Sequence, residues 1–241
     1  AVRFGETLGD PALKEGFWAG FERHLLTPLI EAVSTAPYPQ SAHVHGIRFA
    51  VPGSITRHAI GSDNWPLTWG DDDAIYAAYG DGWGFTPRRP RKLSLGCARI
   101  PGTPEAPHGA NIPSPTGERE GDGPAGPKAS GLLMVDSVLY MWVRNTKNAQ
   151  LAWSADRGRS WTWGFRFGRS FAAPTFLNFG PNYAGARDGY VYVLSPDGSS
   201  AYESYDRLIL ARVSKHRIRD REAYAYFVRR DDLGRPVWSK K

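Results

Sequence analysis

The sequence predicts an all-β fold arranged as a β-propeller, with about three blades present and a helix ahead of them. Three observations carry that prediction: a constrained octapeptide at 154–161, a strand pattern that recurs three times between residues 61 and 228, and the composition. Among 241 residues there are 9 Trp, 11 Tyr and 11 Phe, beside 27 Gly and 19 Pro. Short strands of large side chains joined by many tight turns need that mixture. An apolar fraction of 41% and a charged fraction of 22% exclude a disordered or membrane-spanning chain, and no apolar run nears the roughly 20 residues a span requires.

The chain opens on a different period. Asp10-Pro11 supplies an N-cap and a first-turn proline, and Leu13, Phe17, Phe21 and Leu25 recur every fourth residue. This predicts one amphipathic helix within a 1–36 extension, ended by Pro28, with Pro37 and Pro39 leading into extended chain. Residues 37–241 then form the partial propeller.

From residue 61 the runs become short and alternating. An aliphatic-Tyr pair follows a turn three times: Ile75-Tyr76 after Asp71-Asp72-Asp73, Leu139-Tyr140 after Asp136-Ser137, and Val191-Tyr192 after Asp188-Gly189. Five residues beyond each Tyr stand Asp81, Asn145 and Asp197. Third strands correspond as well, at 95–100, 151–154 and 208–213. Units at about 61–100, 128–167 and 172–228 result, and the middle one is complete, with strands at 129–135, 138–145, 150–154 and 160–167. Four meander strands in about 40 residues is the size of a propeller blade. Between the first two units, 101–127 is rich in Pro and Gly and shows no periodicity, so it reads as a disordered link or a long loop over one face.

In the octapeptide, Ser154, Asp156, Gly158, Ser160 and Trp161 each have a task. The Asp carboxylate accepts N–H groups across a turn, Gly takes positive φ, and Ser and Trp close a hairpin by hydrogen bonding and stacking. These positions are structural.

Candidate chemistry lies in the acidic hairpin of 61–85. With Asp71 to Asp73 as its loop, Gly70 pairs with Ala74, and the same register carried outward sets Asp63 opposite Asp81. Their Cβ atoms would then be roughly 5 Å apart. Like charges so close are costly for stability but supply the acid and base that glycosidic cleavage needs, so Asp63 and Asp81 are the candidate catalytic pair. Trp65 and Trp83 beside them are candidate sugar platforms. The plainer reading is that Asp63 caps a strand and Asp81-Gly82 is turn chemistry. By the same register Lys128 faces Asn145 in the second unit. Lys128, Arg144, Asn145 and Asp197 become candidate substrate-binding residues on the same rim, with simple solvation as their alternative. Asp71 to Asp73 read as solvated turn residues on the opposite tip, while Glu118, Glu120 and Asp122 could bring an acid from the long loop.

The octapeptide resembles the Asp box, or BNR repeat, of sialidases and many other propeller proteins, where it joins the outer strands of a blade and implies no reaction. From about residue 37 onward, the runs GSDNWPLTW, YGDGWGF, KASGLLM, LYMWVRN and NYAGARDGYVYVLS resemble a bacterial propeller family described as a domain of unknown function. Some of its members are endo-D-arabinanases, glycoside hydrolases with a five-bladed propeller and two essential aspartates in the first blade. That resemblance implies a polysaccharide or oligosaccharide substrate, Asp63 and Asp81 as acid and base or nucleophile, and no cofactor. A polysaccharide lyase and a non-catalytic carbohydrate-binding propeller are the alternatives. Five blades would take about 80 further residues, so the chain is expected to be truncated or completed by another chain.

The net charge of +6 would suit an acidic polymer, and basic residues gather at 88–92 and 215–230, but no nucleic-acid reading motif accompanies them. Neither nucleic acid nor a membrane is an expected partner. Cys97 stands alone, which excludes an internal disulfide and a cysteine zinc cage, and its strand-like surroundings predict burial. His43 and His45 share one face of an extended segment without a third ligand, so no metal is assigned. The expected location is secreted or periplasmic, with any leader already removed.

Overall fold

A computed structural model of the chain describes residues 41–43, 48, 53 and 55–240. The helix expected within 1–36 lies outside the described residues, as does His45. The chain divides into two units, Ala1–Ile55 and Thr56–Lys241, and every strand among the described residues lies in the second. Among the described residues there is no α-helix.

Three antiparallel sheets follow one another along the chain. The first contains β1 (Leu67–Trp69), β2 (Ile75–Tyr79) and β3 (Gly96–Ile100). A small separate hairpin, β4 (Gly102–Thr103) with β5 (Ala106–Pro107), then leads to β6 (Ala110–Ile112), the sheet's fourth strand. The second sheet is an unbroken meander of β7 (Lys128–Val135), β8 (Val138–Arg144), β9 (Gln150–Ser154) and β10 (Thr162–Arg166). The third has five strands: β11 (Thr175–Phe176), β12 (Tyr190–Pro196), β13 (Leu208–Ser214), β14 (Ala225–Arg230) and β15 (Pro236–Ser239).

The stretch 101–127, expected to be aperiodic loop or link, is therefore partly sheet. Ala110–Ile112 pairs with 97–99, and Gly123–Ala125 forms a 3-10 turn. Three residues are too few to show alternation, so this strand is defined by its partner and not by its own pattern.

Alternation explains how the middle sheet is covered. Leu132, Met134, Leu139, Met141 and Val143 pack against Tyr76, Leu95 and Cys97 of the first sheet. Leu133, Tyr140, Trp142 and Leu151, pointing the other way, pack against Val191, Val193, Ala211 and Val213 of the third. A strand such as β8 is buried on both faces, which is why it reads as a continuous apolar run. Trp142 anchors the second interface among the rings of Phe165, Phe167, Phe176 and Tyr224. Cys97 is buried on β3, and burial pushes its thiol up to about 12.

The first strands of the sheets, β1, β7 and β11, lie side by side without forming a ladder. Their free backbone groups are met by short polar side chains instead. Thr68 donates to Asn178 Oδ1 at 2.8 Å and accepts from the N–H of Met134 at 2.9 Å, while Asn178 donates to the carbonyl of Leu132 at 3.2 Å. Asn64 donates to the Ala129 carbonyl at 2.7 Å and Ser130 to that of Pro174 at 2.6 Å. Gly131 allows the approach: a Cβ there would stand 2.8 Å from Thr175 Cα.

The 154–161 turn between β9 and β10 closes as its residues predict. Asp156 accepts from Ser154 Oγ at 2.7 Å, from Ser160 N at 2.8 Å and from Ser160 Oγ at 2.6 Å. Gly158 has φ of 88°, and Trp161, buried, donates to its carbonyl at 3.1 Å. Burial alone would push the Asp156 carboxyl up, but the bonds from Ser160 and Ser154 outweigh it and hold it below the ordinary aspartate range.

Two outcomes are expected. Thr68→Val strands a buried N–H and an amide oxygen and should lower stability by about 1–3 kcal/mol in urea titration, with cooperative unfolding kept. Asp156→Ala should cost about 2 kcal/mol at neutral pH. Because the folded carboxyl lies below its unfolded value of about 3.9, that contribution is complete above this pH and lost on further acidification. The gap between melts of wild type and variant should narrow progressively as pH falls below about 3.9.

Candidate functional site

The acidic hairpin holds its predicted register near the turn and loses it at the open end. Leu67, Thr68 and Trp69 face Ala77, Tyr76 and Ile75, and Gly70 N–H bonds the Ala74 carbonyl. Farther out, Asp63 pairs with Gly80 through bonds of 2.8 and 2.9 Å in place of the expected Asp81. Asn64, with φ of 56°, and Trp65 together fill the space of one residue, a bulge that shifts the register by one. The second sheet repeats the device. Gly131 faces Trp142, but beyond Ser130 the register slips, so Lys128 faces Arg144 and not Asn145.

The slip takes Asp81 off Asp63 and gives it a cation. Lys128, at the start of β7, has a side chain only 5% exposed, and its Nζ lies 2.5 Å from Asp81 Oδ1. Neither atom finds a hydrogen-bond partner elsewhere among the described residues. Asp81 itself adopts φ of 46°, a conformation Asp tolerates better than most residues. Lys92 stands 4.0 Å from the same oxygen and donates to Asp122 at 2.9 Å. That bond, aided by the charges of Asp122, Asp81 and Asp63 against a small cost of burial, holds the Lys92 ammonium above its usual range. Asp63 is exposed, and its side chain makes no hydrogen bond or ion pair among the described residues. Asp81 thus pairs with Lys128 instead of facing Asp63.

Around this cluster the other predicted residues divide. Trp65 packs its ring against Tyr79 at 5.6 Å and Phe85 at 5.8 Å, so most of it is core and not platform. It also lines, with Asn64, Ser130 and Asn178, a groove of about 290 Å3 between the first strands, next in sequence to Asp63. Trp83 is half-buried beneath the Arg88 guanidinium. Asn145, with φ of 64°, occupies the place in the second sheet that Asp81 has in the first and donates to the carbonyls of Gly126 and Gly123. Arg144 lies over the Tyr202 ring. Asp197 is exposed, accepts from Ser170 Oγ at 3.1 Å and makes no bond to the lysine cluster.

Lys92 was not singled out by sequence reasoning. Its signal is paired spacing: Arg89 bridges Glu118, Arg91 bridges Glu120 and Lys92 bridges Asp122. The long segment supplies the counter-ions of the basic run 88–92 and carries Asp122 to the cluster. The turn 71–73 is also more than a solvated tip. Asp72 accepts from Arg99 and Tyr76 and pairs with Arg157 at 2.5 Å, while Asp71 pairs with Arg157 at 3.1 Å. Burial would push the Asp72 carboxyl up, but the Arg99 and Tyr76 bonds hold it down.

Lys128→Met should destabilise the protein by about 2–3 kcal/mol, since it leaves a partly buried carboxylate unpaired, and Lys128→Met with Asp81→Asn should recover about half. A double variant no more stable than the single one in urea titration would show that the pair does not anchor the rim.

No protein-family model matches the chain, and no curated protein matches it. Two solved structures are similar to it in part. Phage phi92 endosialidase is 18% identical, with a TM-score of 0.37 over 67% of this chain and 25% of its own. A protein of Bacteroides ovatus ATCC 8483, provisionally named a hydrolase, is 15% identical, with a TM-score of 0.44 over 78% of this chain and 56% of its own. The chain therefore spans a quarter of the first protein and just over half of the second.

Proposed function

We propose that Thr56–Lys241 is part of an Asp-box β-propeller of the endo-D-arabinanase-like kind, each sheet one blade, and that its rim hydrolyses a polysaccharide outside the cytoplasm. Support for the architecture comes from three consecutive antiparallel sheets whose first strands lie together and from the bonding of the 154–161 turn. Further blades, from a longer chain or another one, would cover the outward face of the third sheet, where Tyr190, Leu208 and Phe227 are exposed.

One observation carries the chemistry: Asp63, whose carboxylate has no partner among the described residues, bridges the neighbour of the ion-paired Asp81 and is next in sequence to a groove of about 290 Å3. Asp81 is committed to Lys128 as an acceptor and takes the part of fixed charge, base or nucleophile. Asp63 has oxygens free to exchange a proton with a glycosidic oxygen or a water. Lys92, 4.0 Å from Asp81 Oδ1, offsets part of the repulsion between the two carboxylates.

Asp63→Asn and Asp81→Asn should each lower the release of oligosaccharides from arabinan or the accepted glycan by about 100-fold or more, with melting of Asp63→Asn unchanged. Wild-type rates in both variants would sink the hydrolase reading. Binding of glycan without release would make the protein a carbohydrate-binding propeller, and an ultraviolet-absorbing unsaturated uronate product would make it a lyase.

A further inference from the structure

A cleft of about 580 Å3 in the second unit lies away from the rim cluster. It lies at the 71–73 turn of the first sheet and the 154–161 turn of the second, and its lining includes Asp72, Arg99, Arg157, Arg159, Ile112 and Pro113. We propose that this cleft is a second ligand site that binds an oxyanion, and that the carboxylate of an acidic sugar is the form its walls favour.

The argument begins with charge. Arg99 and Arg157 meet the carboxylates of Asp71 and Asp72, while Arg159 beside them pairs with no carboxylate among the described residues. Asp72 Oδ2 takes Arg99 through Nε at 2.9 Å and Nη2 at 2.8 Å, and Arg157 through Nη1 at 2.5 Å. This crowding spends one edge of each guanidinium and fixes its plane. Arg99 and Arg157 nevertheless keep 39% and 41% of their side chains exposed.

Arg159 is the guanidinium without an ion pair. Its one hydrogen bond among the described residues is from Nη1 to the Asp156 carbonyl at 3.3 Å, and that carbonyl belongs to the turn already closed by Ser154 and Ser160. Nε and Nη2 of Arg159 have no protein acceptor among the described residues. A planar oxyanion matches such free guanidinium edges bidentately. An inorganic anion would use the arginines alone. A sugar acid would also lay its ring on Ile112 and Pro113 and gain apolar contact. This inference does not rest on the rim chemistry, since the site shares no residue with it.

Titration calorimetry at low ionic strength tests the proposal with trigalacturonate, inorganic phosphate and a neutral arabino-oligosaccharide as probes. Trigalacturonate should bind wild type, weaken with added salt, and bind Arg159→Ala about tenfold less tightly while the melting temperature stays the same. The neutral probe should be unaffected by Arg159→Ala. Trigalacturonate binding tighter than phosphate identifies an acidic-glycan site, and equal affinities identify a site for small free oxyanions. If neither oxyanion binds wild type, or if Arg159→Ala binds both as wild type does, the proposal is overturned.

Discussion

Everything in the second unit depends on how three first strands lie together without pairing. A strand edge left open in the interior carries unmet N–H and C=O groups, each costing about 1–3 kcal/mol if buried without a partner. Here Asn64, Thr68, Ser130 and Asn178 meet them from the neighbouring strand. The choice of short polar side chains sets the spacing, because only short groups reach a carbonyl while the backbones stay close. Gly131 answers the same demand from the backbone side.

The stitching also decides the rim. Asn64 and Ser130 are the bulge residues of β1 and β7, and each donates to a carbonyl at the start of the next sheet. A bulge frees the residue to turn sideways, and the turn costs one step of register. That step brings Gly80 opposite Asp63 and leaves Asp81 to reach Lys128, whose neighbour Ala129 accepts the Asn64 bond. Structural and candidate chemical features are the same event seen on two sides of a strand. Ion pairs on the outer surface, such as Arg91 with Glu120, contribute at most about 1 kcal/mol each. The Lys128–Asp81 pair differs because its ammonium is nearly dry.

How much of this was legible follows from the range of each interaction. The Asp71 to Asp73 turn fixes the local register, so the pairing of 67–69 with 75–77 could be read from the sequence alone. The bulges could not, because Asn64 and Ser130 are bulged for the sake of carbonyls that lie 65 and 44 residues away in the chain. Strand β6 was hidden for a similar reason, as three residues inherit their conformation from β3. The role of Lys92 required the pairing of two charged runs about 30 residues apart, which single-segment patterning does not expose.

The two outer sheets solve one problem by different means, and the difference bears on the rim. The face of the first sheet turned away from the second is covered by Ala59, Trp65 and Phe85, which close over Tyr79 and Ala98. Trp65 therefore belongs at once to this cover and to the groove beside Asp63, so the packing that shields the sheet also fixes one groove wall. The outward face of the third sheet has no such cover among the described residues. It holds Arg212 between the rings of Tyr190 and Trp238, each 4.2 Å away, and stacking replaces the hydrogen bond that Arg212 Nε lacks. A stacked arginine keeps its charge while presenting a flat surface, which suits a face open to water. Order at the candidate site thus comes from the first sheet's own cover, and the open third face can be filled or left bare without moving Asp63.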